Sequence, residues 1–114
     1  MIVLVTGGRD LRDVRLVYDA LDAIHARVQI TRVVQGGARG ADDLARSWAM
    51  SRRVDYVTYA ADWAQGRAAG LRRNQDMLNE EAVQLVVAFP GGRGTADMVR
   101  RAVSAGIPVE EQTR

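Results

Sequence analysis

Apolar positions along the chain follow two alternating patterns. Unbroken runs such as Ile2-Val3-Leu4-Val5 and Leu85-Val86-Val87-Ala88-Phe89 have the form of strands buried on both faces of a parallel sheet. Between the runs, apolar residues return at helical spacing: Val14, Val17, Leu21, Ile24 and Val28; then Ala41, Leu44, Ala45 and Trp48; and later Met98, Val99, Ala102 and Val103. The spacing predicts strands over 2–5, 31–35, 54–59, 84–89 and 107–109. It predicts helices after the capping residue Asp13, from Ala41, from Ala68 or Leu71 to about Glu81, and from Thr95 to Ala105, where Gly106 ends the last one. Pro108 assigns the final strand to an edge, and residues 110–114 are expected to be a frayed tail. Strand, loop and helix alternate throughout. The expected fold is therefore α/β, a Rossmann-like open parallel sheet of about five strands with helices on both faces, forming one domain over residues 1–114.

Three of the strand-to-helix connections are rich in glycine: Thr6-Gly7-Gly8-Arg9-Asp10, Gly36-Gly37-Ala38-Arg39-Gly40, and Pro90-Gly91-Gly92-Arg93-Gly94-Thr95. Right-handed crossovers bring the loops after the first, second and fourth strands to one carboxyl-end rim of the sheet. Such turns leave backbone N–H groups at helix starts facing an anion, so a phosphate-bearing small molecule is expected there. Each loop taken singly is also explained as a tight connection. The spacings match neither the dinucleotide fingerprint nor the Walker P-loop. Arg9 and Arg93 are candidate phosphate contacts, and Thr95 is a candidate cap and phosphate donor. Trp63, in the long connection after the third strand, is either a platform for a base or a wedge onto the core. Arg73 and Asn74 lie on the helix before the fourth strand and can approach the same crevice. Asp97, near the start of the last helix, is either a ribose-facing carboxylate or a neutraliser of the helix dipole. Asp42 and Asp43 are explained by the dipole alone, Trp48 by core packing, and His25 as a structural or solvent-facing residue.

Composition narrows the chemistry. The 114 residues are 47% hydrophobic and 26% charged, the profile of a folded globular chain. All 16 basic residues are arginine, which excludes a Walker lysine and Schiff-base chemistry. Without cysteine, and with His25 as the only histidine, thiolate nucleophiles and histidine–cysteine zinc sites are excluded, and neither a metal nor a cofactor is expected. The net charge of +2 is too evenly interleaved with acids to argue for nucleic acid. No segment reads as a membrane span or signal peptide, so a cytoplasmic protein is expected.

Taken together, the three glycine loops, Gly40-Ala41-Asp42, Asp62-Trp63, Gly66 to Gly70, Arg73-Asn74 and Thr95-Ala96-Asp97 resemble the YspA/cpYpsA-related branch of the SLOG superfamily nearly from end to end. The resemblance implies binding of a nucleotide or nucleotide-derived ligand. Related proteins include the lonely-guy phosphoribohydrolases, which cleave the N-glycosidic bond of nucleoside 5′-monophosphates with an arginine and a glutamate. By motif those roles fall on Arg73 and Asp97, with Asn74 standing where those enzymes usually carry lysine and with Asp97 one methylene short of glutamate. Others, in the Smf/DprA group, bind single-stranded DNA, a reading that needs a basic or aromatic platform this chain lacks. The resemblance to the phosphoribohydrolases further implies a homo-oligomer, a dimer packed through helices near the site.

Overall fold

In a computed structural model, which describes residues 1–113, the chain forms β1 (Ile2–Thr6), α1 (Val14–Val28), β2 (Arg32–Gln35), α2 (Ala41–Ser51), β3 (Asp55–Thr58), a single 3₁₀ turn (Trp63–Gln65), α3 (Ala69–Glu80), β4 (Leu85–Ala88), α4 (Arg93–Ser104) and β5 (Val109–Glu111). The five strands lie in the order β3-β2-β1-β4-β5, and every pair is parallel. This is the open α/β sheet that the alternating pattern predicts. The chain winds outward from β1 through β2 to β3, then crosses back to β4 on the other side of β1. Strand order therefore reverses between β1 and β4, and a crevice opens there at the carboxyl ends of the strands. Among the described residues no helix is long and apolar enough to cross a membrane.

The sheet buries both faces, which explains the continuous apolarity of its central strands. Val3 and Val5 of β1 face one layer with Val17, Leu21 and Ile24 of α1 and Ala45 and Trp48 of α2. Leu4 faces the other layer with Met77 of α3 and Met98 and Ala102 of α4. Each fully buried large apolar side chain contributes roughly 1.5–3 kcal/mol. Trp48 also satisfies its indole N–H, which donates to Asp22 Oδ1 at 2.8 Å, while Arg52 clasps the same carboxylate at 2.9 and 2.8 Å. Those two partners, Arg52 first, hold the Asp22 carboxyl below its usual range. Trp48→Phe should cost about 1–2 kcal/mol, the lost hydrogen bond plus the smaller ring, read as a lower urea midpoint at unchanged slope. His25 has a structural role: its Nδ1 accepts the Ile30 N–H at 2.9 Å beside the edge of Trp48.

Four expectations are corrected. Residues 110 and 111 are strand rather than frayed tail: Glu110 and Glu111 align with Val87 and Ala88, Gln112 N–H donates to Ala88 O, and Arg27 bonds Glu110 at 2.7 Å. Arg114, expected in that tail, lies outside the described residues. α4 begins at Arg93, two residues before the expected Thr95. Its buried face comprises Asp97, Met98 and Ala102, while Val103 is 64% exposed, because Asn74 and Arg101 supply partners that let a carboxylate occupy the inner face. The last strand lies at the edge as expected, but it runs over Val109–Glu111 rather than 107–109, so Ile107 and Pro108 precede it.

Candidate functional site

A cavity of about 580 Å³ occupies the crevice where strand order reverses. One wall is the loop after β1, with Gly7, Gly8 and Arg9. Another is Gly36 and Ala38 after β2, together with Asp42 in the first turn of α2. The start of α4, from Gly92 to Thr95, forms the third. Trp63 and Arg67 of the long connection, and Leu71, Arg73, Asn74 and Met77 of α3, complete it. The loops are locked to one another by backbone contacts. Gly8 N–H donates to Pro90 O at 2.8 Å, and Ala41 N–H donates to Gly8 O at 3.1 Å.

The glycines of these loops do different jobs. Gly40 is at φ +82°, and a Cβ there would press on Gly8 O and meet Arg9 O at 2.6 Å, so the crossing of the first two loops requires its bare backbone. At Gly92 and Gly94 an added Cβ meets no protein atom within 4 Å. Protein packing does not account for these two, and both line the cavity. Gly92 is the N-cap of α4 and supplies no side-chain cap; the first intrahelical bond runs from Ala96 N–H to Gly92 O. The N–H groups of Arg93, Gly94 and Thr95 thus precede the ladder, at the positive end of the helix dipole.

Arg73 is clamped in place. Its Nη1 donates to Gly36 O at 2.7 Å and to Tyr59 O at 3.2 Å, and its Nε to Asn74 Oδ1 at 3.2 Å. Burial draws its pKa down from the usual guanidinium value, and Asp42 opposes that shift. Trp63 is 52% exposed, with the Arg9 guanidinium 5.1 Å from its ring centroid. Its other contact is α3, where a Cβ at Gly70 would meet the indole at 2.8 Å. Trp63 therefore both touches the fold and presents a ring to the cavity.

Of the residues singled out from the sequence, Gly7, Gly8, Arg9, Gly36, Trp63, Arg73, Asn74, Gly92, Arg93, Gly94 and Thr95 share this cavity. Gly37 lies instead in an adjoining cleft, and Gly91 in a hollow on the far side of the Pro90 loop. Asp97 is outside the lining. Asp97 is buried, and its carboxylate accepts from Asn74 Nδ2 at 3.1 Å and Arg101 Nε at 2.7 Å. Asn74 also donates to Gly94 O at 3.2 Å, so it ties α3 to the first turns of α4. Arg73 and Asp97 are therefore not brought together in one pocket.

The carboxylate that does line the cavity is Asp42, a residue whose sequence position the helix dipole alone explains. It is 7% exposed and accepts the Ala38 N–H at 3.3 Å, whereas its neighbour Asp43 is exposed and pairs with Arg46. Burial pushes the Asp42 pKa up to about 6, offset in part by the Ala38 N–H and by the charge of Arg73. A sequence signal for it exists: residue 42 continues, at helical spacing, the inner stripe of Ala45 and Ala49. An acid on an apolar stripe is either partnered or functional. Among the described residues no cluster of three or more acidic or histidine side chains is placed to hold a metal ion.

An open parallel sheet with its cavity at the point of strand-order reversal places the protein in the Rossmann-like class, whose ligands bind at that crevice. The chain belongs to the YspA, cpYpsA-related SLOG family, whose profile matches residues 1–66. It is also 44% identical over 116 aligned positions to the Gene 61 protein of Mycobacterium phage D29, covering 94% of this chain and 92% of that protein. The family match spans the first two glycine loops and Asp42; the phage protein aligns over nearly the whole chain.

Proposed function

We propose that the cavity binds a nucleotide or nucleotide-derived small molecule, with a phosphate on the start of α4. One observation carries this: an uncapped helix N-terminus, stripped of side chains at Gly92 and Gly94, opens into a cavity lined by four arginines and a single carboxylate. The N–H groups of Arg93, Gly94 and Thr95, the Thr95 hydroxyl and the Arg93 guanidinium are the phosphate contacts. Trp63, Leu71 and Met77 offer the apolar surface for a base, and Asp42 accepts from a ribose hydroxyl. The reading includes the homodimer implied by the phosphoribohydrolase resemblance, which sedimentation of the purified protein tests.

A second reading, N-glycosidic hydrolysis of a nucleoside 5′-monophosphate, is favoured by Asp42, whose pKa of about 6 lets it take a proton near neutral pH beside Arg73. In that reaction water adds at C1′ of the ribose, the bond to the base breaks, and the base leaves with a proton. In this reading Asp42, which lines the cavity, orients that water.

Mass spectrometry of small molecules released from the denatured protein, followed by incubation with a nucleoside 5′-monophosphate panel, tests both readings. Binding is expected to weaken about tenfold or more in Gly94→Val, which puts a branched side chain where the phosphate sits. Release of free base and ribose 5-phosphate that vanishes in Asp42→Asn and persists in Asp97→Asn would establish hydrolysis with Asp42 as the group that orients the water. No bound nucleotide and none retained from the panel would sink the binding reading.

A further inference from the structure

The cavity has a neighbour of nearly the same size. A cleft of about 560 Å³ adjoins the first cavity, which is about 580 Å³, and shares Arg9, Gly36, Ala38, Trp63 and Arg73 with it, so the stacked pair of Arg9 over Trp63 belongs to both. Each volume is of the order that suffices for one small ligand. The remaining cleft walls have little bulk, with Gly37, Ala60 and Ala61 among them, and they add a third guanidinium, Arg39. No carboxylate belongs to the lining. The nearest partner of Arg39 is Asp10, at 3.6 Å, and both side chains are solvated, 78% and 93% exposed. Three arginines in a concave surface without a carboxylate in its walls focus a positive potential. Arg9 and Arg73 are common to both cavities, and Arg39 is the cation that only the cleft has.

We propose that the site takes a nucleotide with two separated phosphate groups, one at the start of α4 and the other in the cleft among Arg9, Arg39 and Arg73, with the ribose passing the Arg9–Trp63 pair. The inference rests on the nucleotide reading above and extends it to the class of ligand. A nucleoside 3′,5′-bisphosphate and a 5′-phosphorylated dinucleotide both place anions at the two ends of a ribose. A 5′-diphosphate puts the same charge at one end and engages a single pole.

Calorimetric titration of the full chain with adenosine 5′-monophosphate, adenosine 5′-diphosphate, adenosine 3′,5′-bisphosphate and the dinucleotide pApA, repeated with the other bases, separates the cases. The bisphosphate or the dinucleotide should bind at least about tenfold more tightly than the monophosphate and diphosphate. The exposed Arg39→Gln should erase that gain, with its thermal midpoint and its monophosphate affinity kept. Equal affinity across the panel, or a gain that survives in Arg39→Gln, would overturn the inference and leave mononucleotide binding intact. Affinity that keeps rising with strand length beyond the dinucleotide would overturn it in favour of a strand-tracking surface. If no member of the panel binds, the inference falls together with the nucleotide reading.

Discussion

Gly40→Ala is expected to destabilise the protein by about 3 kcal/mol or more, among the largest costs of any single methyl in the chain. Two penalties add. The backbone at φ +82°, ψ −129° is a conformation reserved for glycine, which costs a side chain of order 1–3 kcal/mol. The new methyl would also collide with the carbonyls of Gly8 and Arg9, which are backbone atoms that cannot rotate away. Those residues could retreat only by breaking the Gly8 links to Pro90 and Ala41. Gly106→Ala is the matching control: its φ is +76°, but nothing lies within 4 Å of an added Cβ, so its cost should stay near 1 kcal/mol. Chemical denaturation of both variants gives the comparison. Equal losses would show that the loop crossing tolerates displacement.

Asp42→Asn should move stability in the opposite direction, raising it by about 1–3 kcal/mol at pH 7. The Asp42 pKa lies near 6 in the folded chain against 3.8 when solvated. Between those values the folded state holds more protons than the unfolded state. Stability contributed by this group therefore falls as pH rises from about 4 to about 6, and stays low above it. Asparagine is neutral throughout that window and can still accept the Ala38 N–H. Urea unfolding at pH 4, 5, 6 and 7 should show the wild-type decline flattened in the variant. A variant less stable than wild type at pH 7 would refute a desolvated carboxylate. Asp22, held low by Arg52 and Trp48, acts at the other end: its contribution is present above its unfolded pKa and lost as pH falls through the lower folded one. On the nucleotide reading, Asp42→Asn should also weaken the site, the usual exchange between stability and function.

The difference between Asp42 and Asp97 shows where sequence reading succeeds and where it stops. Unbroken runs such as Leu85 to Phe89 have the form of strands buried on both faces, and their alternation with glycine loops and helical stripes implies parallel crossovers, so the sheet and its rim were legible. The start of α4 was not. Gly92 and Gly94 are poor helix formers, which delays the expected start to Thr95 and makes Asp97 the third helical residue. With the helix beginning at Arg93, Asp97 is the fifth residue, beyond the first turn, and its carboxylate turns to Asn74 and Arg101. Asp42, second in α2, stays in the first turn and faces the cavity. Two residues of shift in one boundary thus take Asp97 out of the first turn of α4. Arg73 was placed at the crevice from the order of elements, yet its clamp on Gly36 O and Tyr59 O depends on tertiary distances that no periodicity encodes.

The bond from Gly8 N–H to Pro90 O joins positions separated by more than two thirds of the chain. Contacts of that span close late, because the loop entropy of the intervening segment must be overcome before they gain anything. β1 and β2 can pair, with α1 packed on them, while the wall from Gly92 to Thr95 is still missing. A folding intermediate built from the first half of the chain would carry native-like helix signal and no capacity for ligand. On the nucleotide reading, appearance of binding in a refolding experiment would therefore time the arrival of β4 and α4.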